Sequence, residues 1–413
     1  MAVANLFRGT YATLGALELY LLSIVEELDE THPIIGCFAR KGLIANFDER
    51  AAVETMSRAS CMGGDTVSLT ICPTMACNFD CPYCFERHDG TSMTPDVQDD
   101  VVALAERMAK AFRAKIMQVT WYGGEPLLEP GIIARLSERL MRVADDHGAA
   151  YQAEIITNGY LLSSKVVALL ERAGVRKAQV TLDGLGDAHD ATRHLAGGGP
   201  SFDRIVENLV RPYLPFSVTV RQNVHEGNRA QVGPLRDLVN DLRRTSGNDL
   251  RYSASPVQHN LRTRQRGGPM RPLAVDHLDE LNIAAKAAAH FGPARGRHCG
   301  AHTLRSVAID ERGRLHKCWE TVDTPEHSFG HARDWDPANP LATASQPDRL
   351  TCFLNTTGPV PDDECATCIW LPRCAGGCPY QRLFGTGKRC VAYRDEPTAF
   401  VLALAAQRGD ATL

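Results

Sequence analysis

Between Val67 and about Val257, short β-branched runs alternate with amphipathic runs of helical period, and few folds accept that alternation: it calls for parallel strands joined by crossover helices. Six runs have strand character, in order Val67 to Thr74, Ile116 to Tyr122, Ala153 to Thr157, Ala178 to Leu182, Ser217 to Gln222 and Leu250 to Ala254. Stretches between them, such as Val101 to Phe112 and Ile132 to Val143, place apolar residues at helical spacing. The predicted core is α/β, a partial (β/α)6 TIM-like barrel over residues 64–260. Its functional loops belong at the carboxyl ends of the strands. Cys77, the Gly123-Gly124-Glu125 run, Asn158 and Asp183 each follow a predicted strand, so four candidates fall on one rim.

The flanks read differently. Residues 1–63 form a small α/β extension in which Leu17 to Leu28 suggests one amphipathic helix and Pro33 to Phe47 an extended or hairpin element. A unit of that size is marginal alone, so it is expected to pack on the barrel. Residues 261–295 begin with an arginine-rich break, Arg262 to Pro272, read as a solvated loop, and continue as a bridging helix, Asp276 to His290. Residues 296–413 are rich in cysteine and short of regular periodicity.

Three thiolates lie within eight residues, Cys77, Cys81 and Cys84. That spacing can ligate three irons of a cubic cluster and leave the fourth iron open for chemistry. A structural zinc site needs four closed ligands, and the loop has no fourth Cys or His at ribbon-like spacing. Cys72 sits along the first strand and reads as core; Cys37 and Cys61 read as packing residues. With 14 cysteines and no visible export signal, the chain is expected to use its thiols for metals in a reducing, cytoplasmic setting. The net charge of −4 does not favour nucleic acid, and no run is long and uncharged enough to span a bilayer.

Cys-x3-Cys-x2-Cys followed one strand later by Gly-Gly-Glu resembles the radical S-adenosylmethionine superfamily. The resemblance implies a 4Fe-4S cluster on Cys77, Cys81 and Cys84, and S-adenosylmethionine as cosubstrate. It places Tyr83 near the adenine, Gly123 and Gly124 where backbone approaches the methionyl group, and Glu125 as acceptor from the ammonium. Thr181-Leu182-Asp183-Gly184 and His189 to Arg193 look like the stretch that contacts ribose and carboxylate, with Arg193 the candidate for the carboxylate. Asn158 is a rim contact or simply a turn residue of Asn-Gly.

A second resemblance lies downstream. The order Cys299, Gly313, Cys318, Cys365, Cys368, Cys374, Cys378, Cys390 is similar to the SPASM extension of one subgroup of radical enzymes. It implies two auxiliary 4Fe-4S clusters, one on Cys365, Cys368, Cys374 and Cys390, the other with Cys299, Cys318 and Cys378 as three ligands. Cys352 is either the fourth ligand of that inner cluster or a buried free thiol. Zinc ribbons share such spacings, and the upstream motif favours iron.

In that subgroup the substrates are peptide or protein side chains. The expected activity is oxidative modification of a ribosomally made peptide, as a thioether, carbon–carbon or ether crosslink. Cys84-Phe85-Glu86 and the amino-terminal extension favour this over a sulfatase-type formylglycine maturase or another side-chain oxidase. Implied partners are a precursor peptide, whose leader residues 1–63 would bind, and an external one-electron reductant of flavodoxin or ferredoxin type. A non-enzymatic iron–sulfur carrier would have no use for the Gly-Gly-Glu turn. Tyr122, Gln222, Asn223 and His225 are unranked candidates on the same rim.

Overall fold

The computed structural model describes residues 1–45, 47–257, 291, 299–356, 363–374, 376–385, 390–391, 394 and 397–407. The arginine-rich break and the bridging helix of residues 261–295 lie outside them, Phe291 apart.

The chain opens with an antiparallel hairpin, β1 (Ala2–Asn5) and β2 (Thr10–Thr13), followed by α1 (Ala16–Ser23), α2 (Pro33–Arg40) and α3 (Glu49–Met62). Two expectations are corrected here. The segment from Pro33 is helical rather than extended, because His32 accepts a hydrogen bond from the Ile34 amide and Pro33 presets the first turn. The helix predicted to Leu28 stops at Ser23 and gives way to a 3-10 turn, Val25–Glu27. Cys37 on α2 and Cys61 on α3 are half-buried, and Cys72 is fully buried beyond the end of the first barrel strand.

A nine-stranded sheet forms the centre. Its strands are β3 (Thr66–Ile71), β4 (Ile116–Trp121), β5 (Ala150–Thr157), β6 (Val175–Thr181), β7 (Ser217–Val224), β8 (Leu250–Pro256), β9 (Ser306–Ile309), β10 (Arg314–His316) and β11 (Gly330–His331). The spatial order is β11-β10-β9-β3-β4-β5-β6-β7-β8. Strands β3 to β8 are all parallel and follow chain order. Sequential parallel neighbours joined by right-handed crossovers wind in one direction, as the predicted barrel requires.

The crossovers include α4 (Pro95–Phe112), α5 (Pro130–Asp146) and α6 (Ser164–Arg172), then the single turn α7 (Asp187–Asp190), α8 (Phe202–Leu209) and α9 (Val232–Ser246). One face of each strand is apolar and joins the main core, as with Val67, Leu69, Ile71, Met117, Val119, Trp121, Ile155, Val180 and Val220. The other face carries half-buried Ser68, Thr70, Gln118, Glu154, Gln179, Thr219, Arg221 and Asn223. A closed eight-stranded barrel fills its interior with branched apolar side chains. Here the polar row leaves that side available to a ligand.

The stretch without clear periodicity still joins the sheet: β9 pairs in parallel with β3, and β10 and β11 continue it antiparallel. Strands of four, three and two residues are too short for alternation to show in sequence. The Asp310 carboxylate accepts from the Arg312 and Arg314 amides to shape the β9–β10 turn.

The extension packs mainly on the cysteine-rich region rather than on the barrel as predicted. Trp370, Phe400 and Leu404 form an apolar cluster with Ala4, Leu6 and Tyr11 of the hairpin. Arg305, just before β9, donates to the carbonyls of Ser60, Cys61 and Met62 and so closes the carboxyl end of α3.

Candidate active site

Cys77, Cys81 and Cys84 lie on the loop that leaves β3. The loop is held along its length. Segment 193–196 runs antiparallel to it, with the Asp80 amide donating to the His194 carbonyl (3.2 Å) and the Ala196 amide to the Asn78 carbonyl (2.9 Å). The Phe79 amide points at the Cys77 sulfur (3.5 Å). Burial pushes the Cys77 thiol up to about 12 and raises those of Cys81 and Cys84. Three convergent thiols that burial keeps protonated become stable as thiolates only when a metal takes the charge. This donor set therefore fits an iron–sulfur cluster.

The Gly-Gly-Glu turn lies against the same loop. A Cβ on Gly123 would stand 2.4 Å from the Thr74 carbonyl oxygen, and one on Gly124 2.3 Å from that of Ala76. Gly123 also has φ +114°, which a side chain disfavours. The glycines are thus required by loop-on-loop packing, with the Glu125 amide donating to the Ala76 carbonyl (2.8 Å). Gly124→Ala should cost about 3 kcal/mol or more, since backbone on both sides leaves no side chain to yield. Thermal unfolding checks this, and an unchanged midpoint would show that the loops can part.

Glu125 is fully buried and serves as a junction. Its carboxylate accepts from the Leu127 amide (3.0 Å), the Thr157 hydroxyl (2.7 Å) and the Asn158 amide (2.7 Å). Burial raises its pKa despite these donors. The Asn158 amide nitrogen donates to the Asn78 side chain (2.7 Å), while its carbonyl accepts from the Tyr160 amide (3.0 Å) in the expected turn. Asn158 therefore joins the end of β5 to the cysteine loop.

On the far side Tyr83 is a hub. Its hydroxyl donates to the Asp183 carboxylate and accepts from the Arg193 guanidinium (2.6 Å) and the Asn223 side chain (3.2 Å). The Asn223 amide also donates to Asp183 (3.1 Å). Asn228, which sequence reading missed, donates to the Asp183 and Asn223 carbonyls at 2.8 and 2.9 Å. Gln222 donates to the Asp183 carbonyl (3.1 Å), and His225 closes a local turn by accepting from the Gly227 amide (3.1 Å). Nothing in the sequence marks Asn228, because it lies past the strand in an ordinary turn composition.

Tyr122 stacks on Trp319 with ring centroids 5.4 Å apart. Trp319 follows Cys318, so this stack joins the end of β4 to the cysteine-rich region. Glu86 is buried beside Tyr122, and burial pushes its carboxyl up to about 8.

In the carboxyl-terminal region Cys365, Cys368, Cys374 and Cys390 line one pocket with Arg382, Arg394 and Trp370. Arg382 donates to the Cys365 sulfur (3.2 Å) and Arg394 to that of Cys390 (3.0 Å). Cys299, Cys318 and Cys378 lie near enough to act on one another electrostatically, and burial raises the Cys318 thiol. Cys352 is exposed rather than buried. Its helix, Pro347–Asn355, packs on Gly300–His302 and Pro379–Phe384, the segments that follow Cys299 and Cys378.

Residues 71–211 match the family model of the Radical SAM superfamily, and this part of the chain is a radical SAM domain. The chain is 31% identical over 191 residues to a GTP 3′,8-cyclase of Parasynechococcus marenigrum (strain WH8102), covering 41% of this chain and 51% of that protein. It is 25% identical over 169 residues to the sporulation killing factor maturation protein SkfB of Bacillus subtilis (strain 168), covering 41% and 38%. The chain thus spans about half or less of the length of these curated relatives. Among solved structures, anSMEcpe with bound AdoMet and the Cp18Cys peptide superposes with TM-score 0.59 at 17% identity, over 83% of this chain and 97% of that one. Streptococcus suis SuiB bound to S-adenosylmethionine superposes with TM-score 0.56 at 16% identity, over 92% of each chain. Both superpositions share the radical SAM α/β fold with its parallel sheet, and a cysteine-rich carboxyl-terminal region follows it in this chain. No helix among the described residues is long and apolar enough to cross a membrane.

Proposed function

We propose that the chain is a radical SAM enzyme that oxidatively modifies a ribosomally made peptide, by an intramolecular thioether, carbon–carbon or ether crosslink. The observation that carries this reading is the meeting of Cys77, Cys81 and Cys84 with the Gly123-Gly124-Glu125 turn on one rim, beside a second pocket of four cysteines. Cys77, Cys81 and Cys84 would hold the catalytic 4Fe-4S cluster. Cys365, Cys368, Cys374 and Cys390 would hold one auxiliary cluster, and Cys299, Cys318, Cys378 and Cys352 the other. When bound, the catalytic cluster and S-adenosylmethionine supply reductive carbon–sulfur cleavage to a 5′-deoxyadenosyl radical.

The chain's own residues position and shield that chemistry. Tyr83, Gly123, Gly124, Glu125, Asn158, Asp183 and Arg193 surround the cosubstrate site, and their mutual hydrogen bonds order it before anything binds. The half-buried polar face of β3 to β7 suits a peptide, whose backbone brings its own donors and acceptors. A peptide substrate is supported by the likeness to SkfB, named a maturation protein, and by SuiB, whose fold was also solved with its precursor peptide SuiA.

Residues 1–63 offer a place for a leader segment. Phe7, Arg8, Arg40, Lys41, Phe47 and Met56 line an open cleft between the hairpin and α2. Arg8 lies over the Phe47 ring at 5.5 Å. Such a cleft fits an acidic segment with an apolar anchor. Deleting residues 1–48, which leaves α3 and its Arg305 contacts in place, should weaken precursor affinity about tenfold or more while cosubstrate cleavage persists. Equal affinity after deletion, measured by fluorescence anisotropy, would remove the leader-binding role.

The decisive experiment is anaerobic reconstitution with iron and sulfide counting, then reduction with S-adenosylmethionine and a peptide encoded beside the gene. Release of 5′-deoxyadenosine with loss of two hydrogens from the peptide supports the reading. Zinc in place of iron, or a peptide of unchanged mass with every encoded neighbour, would sink it.

A further inference from the structure

We propose that Arg193 is the charge partner of the catalytic iron–sulfur cluster, its guanidinium clamping the Cys77–Cys84 loop and setting the cluster's reduction potential. This rests on the reading of Cys77, Cys81 and Cys84 as cluster ligands. Two contacts place the guanidinium. Its Nη1 donates to the Tyr83 hydroxyl at 2.6 Å, and its central carbon lies 5.7 Å from the centroid of the Phe79 ring. Phe79 and Tyr83 stand two residues before and two residues after Cys81. The cation is therefore pinned to both shoulders of the middle ligand.

The backbone around Arg193 enforces the placement. The neighbouring His194 and Ala196 pair with Asp80 and Asn78, and the Arg193 carbonyl accepts from the Ser201 hydroxyl at 2.6 Å. Arg193 is 8% exposed, and its Nε is buried without a hydrogen-bond partner among the described residues. A buried guanidinium N–H without an acceptor is costly unless something at the site accepts from it. Sulfide of a bound cluster would be such an acceptor.

Electrostatics point the same way. Asp183, Asp80 and Glu125 are the acidic groups that act on Cys77 or Cys81, and Arg193 is the cation that acts on both. One-electron reduction adds a negative charge to the cluster, and a guanidinium held in a poorly solvated site stabilises the reduced form. Removing that charge makes the cluster harder to reduce. The electron itself comes from an external one-electron donor, and no bond in Arg193 changes.

The test is a potentiometric titration of the full reconstituted chain, followed by electron paramagnetic resonance. The signal that S-adenosylmethionine perturbs identifies the catalytic cluster among the others, and a Cys77→Ala/Cys81→Ala/Cys84→Ala variant must lack it. A perturbed signal that survives in that variant would overturn the ligand reading itself, separately from the present proposal. Arg193→Gln should lower the ratio of reduced to oxidised cluster about tenfold at fixed potential, a shift of about 59 mV to more negative values for one electron. Arg193→Lys keeps the charge and should shift less, while Arg193→Met, a second neutral replacement, should shift as the glutamine does, which preserves the test if the glutamine variant assembles poorly. An unchanged midpoint in either neutral variant, with the signal intact, overturns the proposal. So does an unchanged midpoint in Arg193→Gln accompanied only by weaker S-adenosylmethionine binding, which would assign the guanidinium to the cosubstrate alone.

Discussion

Replacing Cys81 with alanine is expected to abolish 5′-deoxyadenosine release, with a loss of about four irons per chain. Cys81 is the most buried of the three loop cysteines and is flanked by Phe79 and Tyr83, the two residues that Arg193 touches. A cubic cluster left with two protein ligands would lose its anchorage, and with the cluster would go the site that a bound cosubstrate needs. The substitution removes one sulfur atom and leaves the Asp80–His194 and Asn78–Ala196 backbone pairs intact, so the fold should survive. Circular dichroism establishes that the chain is folded, and chromatography of quenched reactions counts the nucleoside. Deoxyadenosine at the unmodified rate would show that the cleavage centre lies elsewhere.

Cys374→Ala is expected to separate two steps that the proposed reaction couples. Cosubstrate cleavage should stay within about twofold, while peptide product falls below detection and iron again drops by about four per chain. Cys374 lines the same pocket as Cys365, Cys368 and Cys390, and its thiol is raised by burial and by those three neighbours. In the proposed reaction a radical on the peptide would have to give up an electron before a closed-shell product could leave, and this pocket would house the group that takes it. Retained crosslinking by Cys374→Ala would remove the electron-accepting role from this pocket. Simultaneous loss of cleavage would show instead that the region supports the barrel's folding.

The two effects differ because the sites differ in what surrounds them. The loop cysteines are embedded in the sheet's carboxyl edge, tied by backbone to β3, by Glu125 to β4 and β5, and by Tyr83 to the ends of β6 and β7. The outer pocket draws its cysteines from short helices and a terminal segment, where two arginines, Arg382 and Arg394, hold the sulfurs. Rigid surroundings suit a centre that must position a reactive carbon within a fraction of an ångström.

Much of this was legible before any coordinates. All six barrel strands appear within a few residues of their expected places because a strand buried on one face must alternate, and the alternation is written locally. The cysteine motif was legible for the same reason: eight residues of chain cannot separate three thiolates widely. The amino-terminal helix at Pro33 was misread because a proline followed by two β-branched residues looks extended, and its cap, His32, is an uncommon one. Strands β9 to β11 went unseen because they are too short to show a period, and β9 is paired by β3, a neighbour far away in sequence.

What the sequence alone determined is the kind of core and the gathering of three cysteines on one loop at its rim, since periodicity and residue spacing are properties of neighbouring residues. Only the tertiary structure decided what each site residue faces. Tyr83 meets Asp183 and Arg193 across separations of 100 and 110 residues, and Arg305 closes a helix 243 residues earlier. Those partnerships follow from which strand ends become adjacent when the sheet winds, and no local pattern records them.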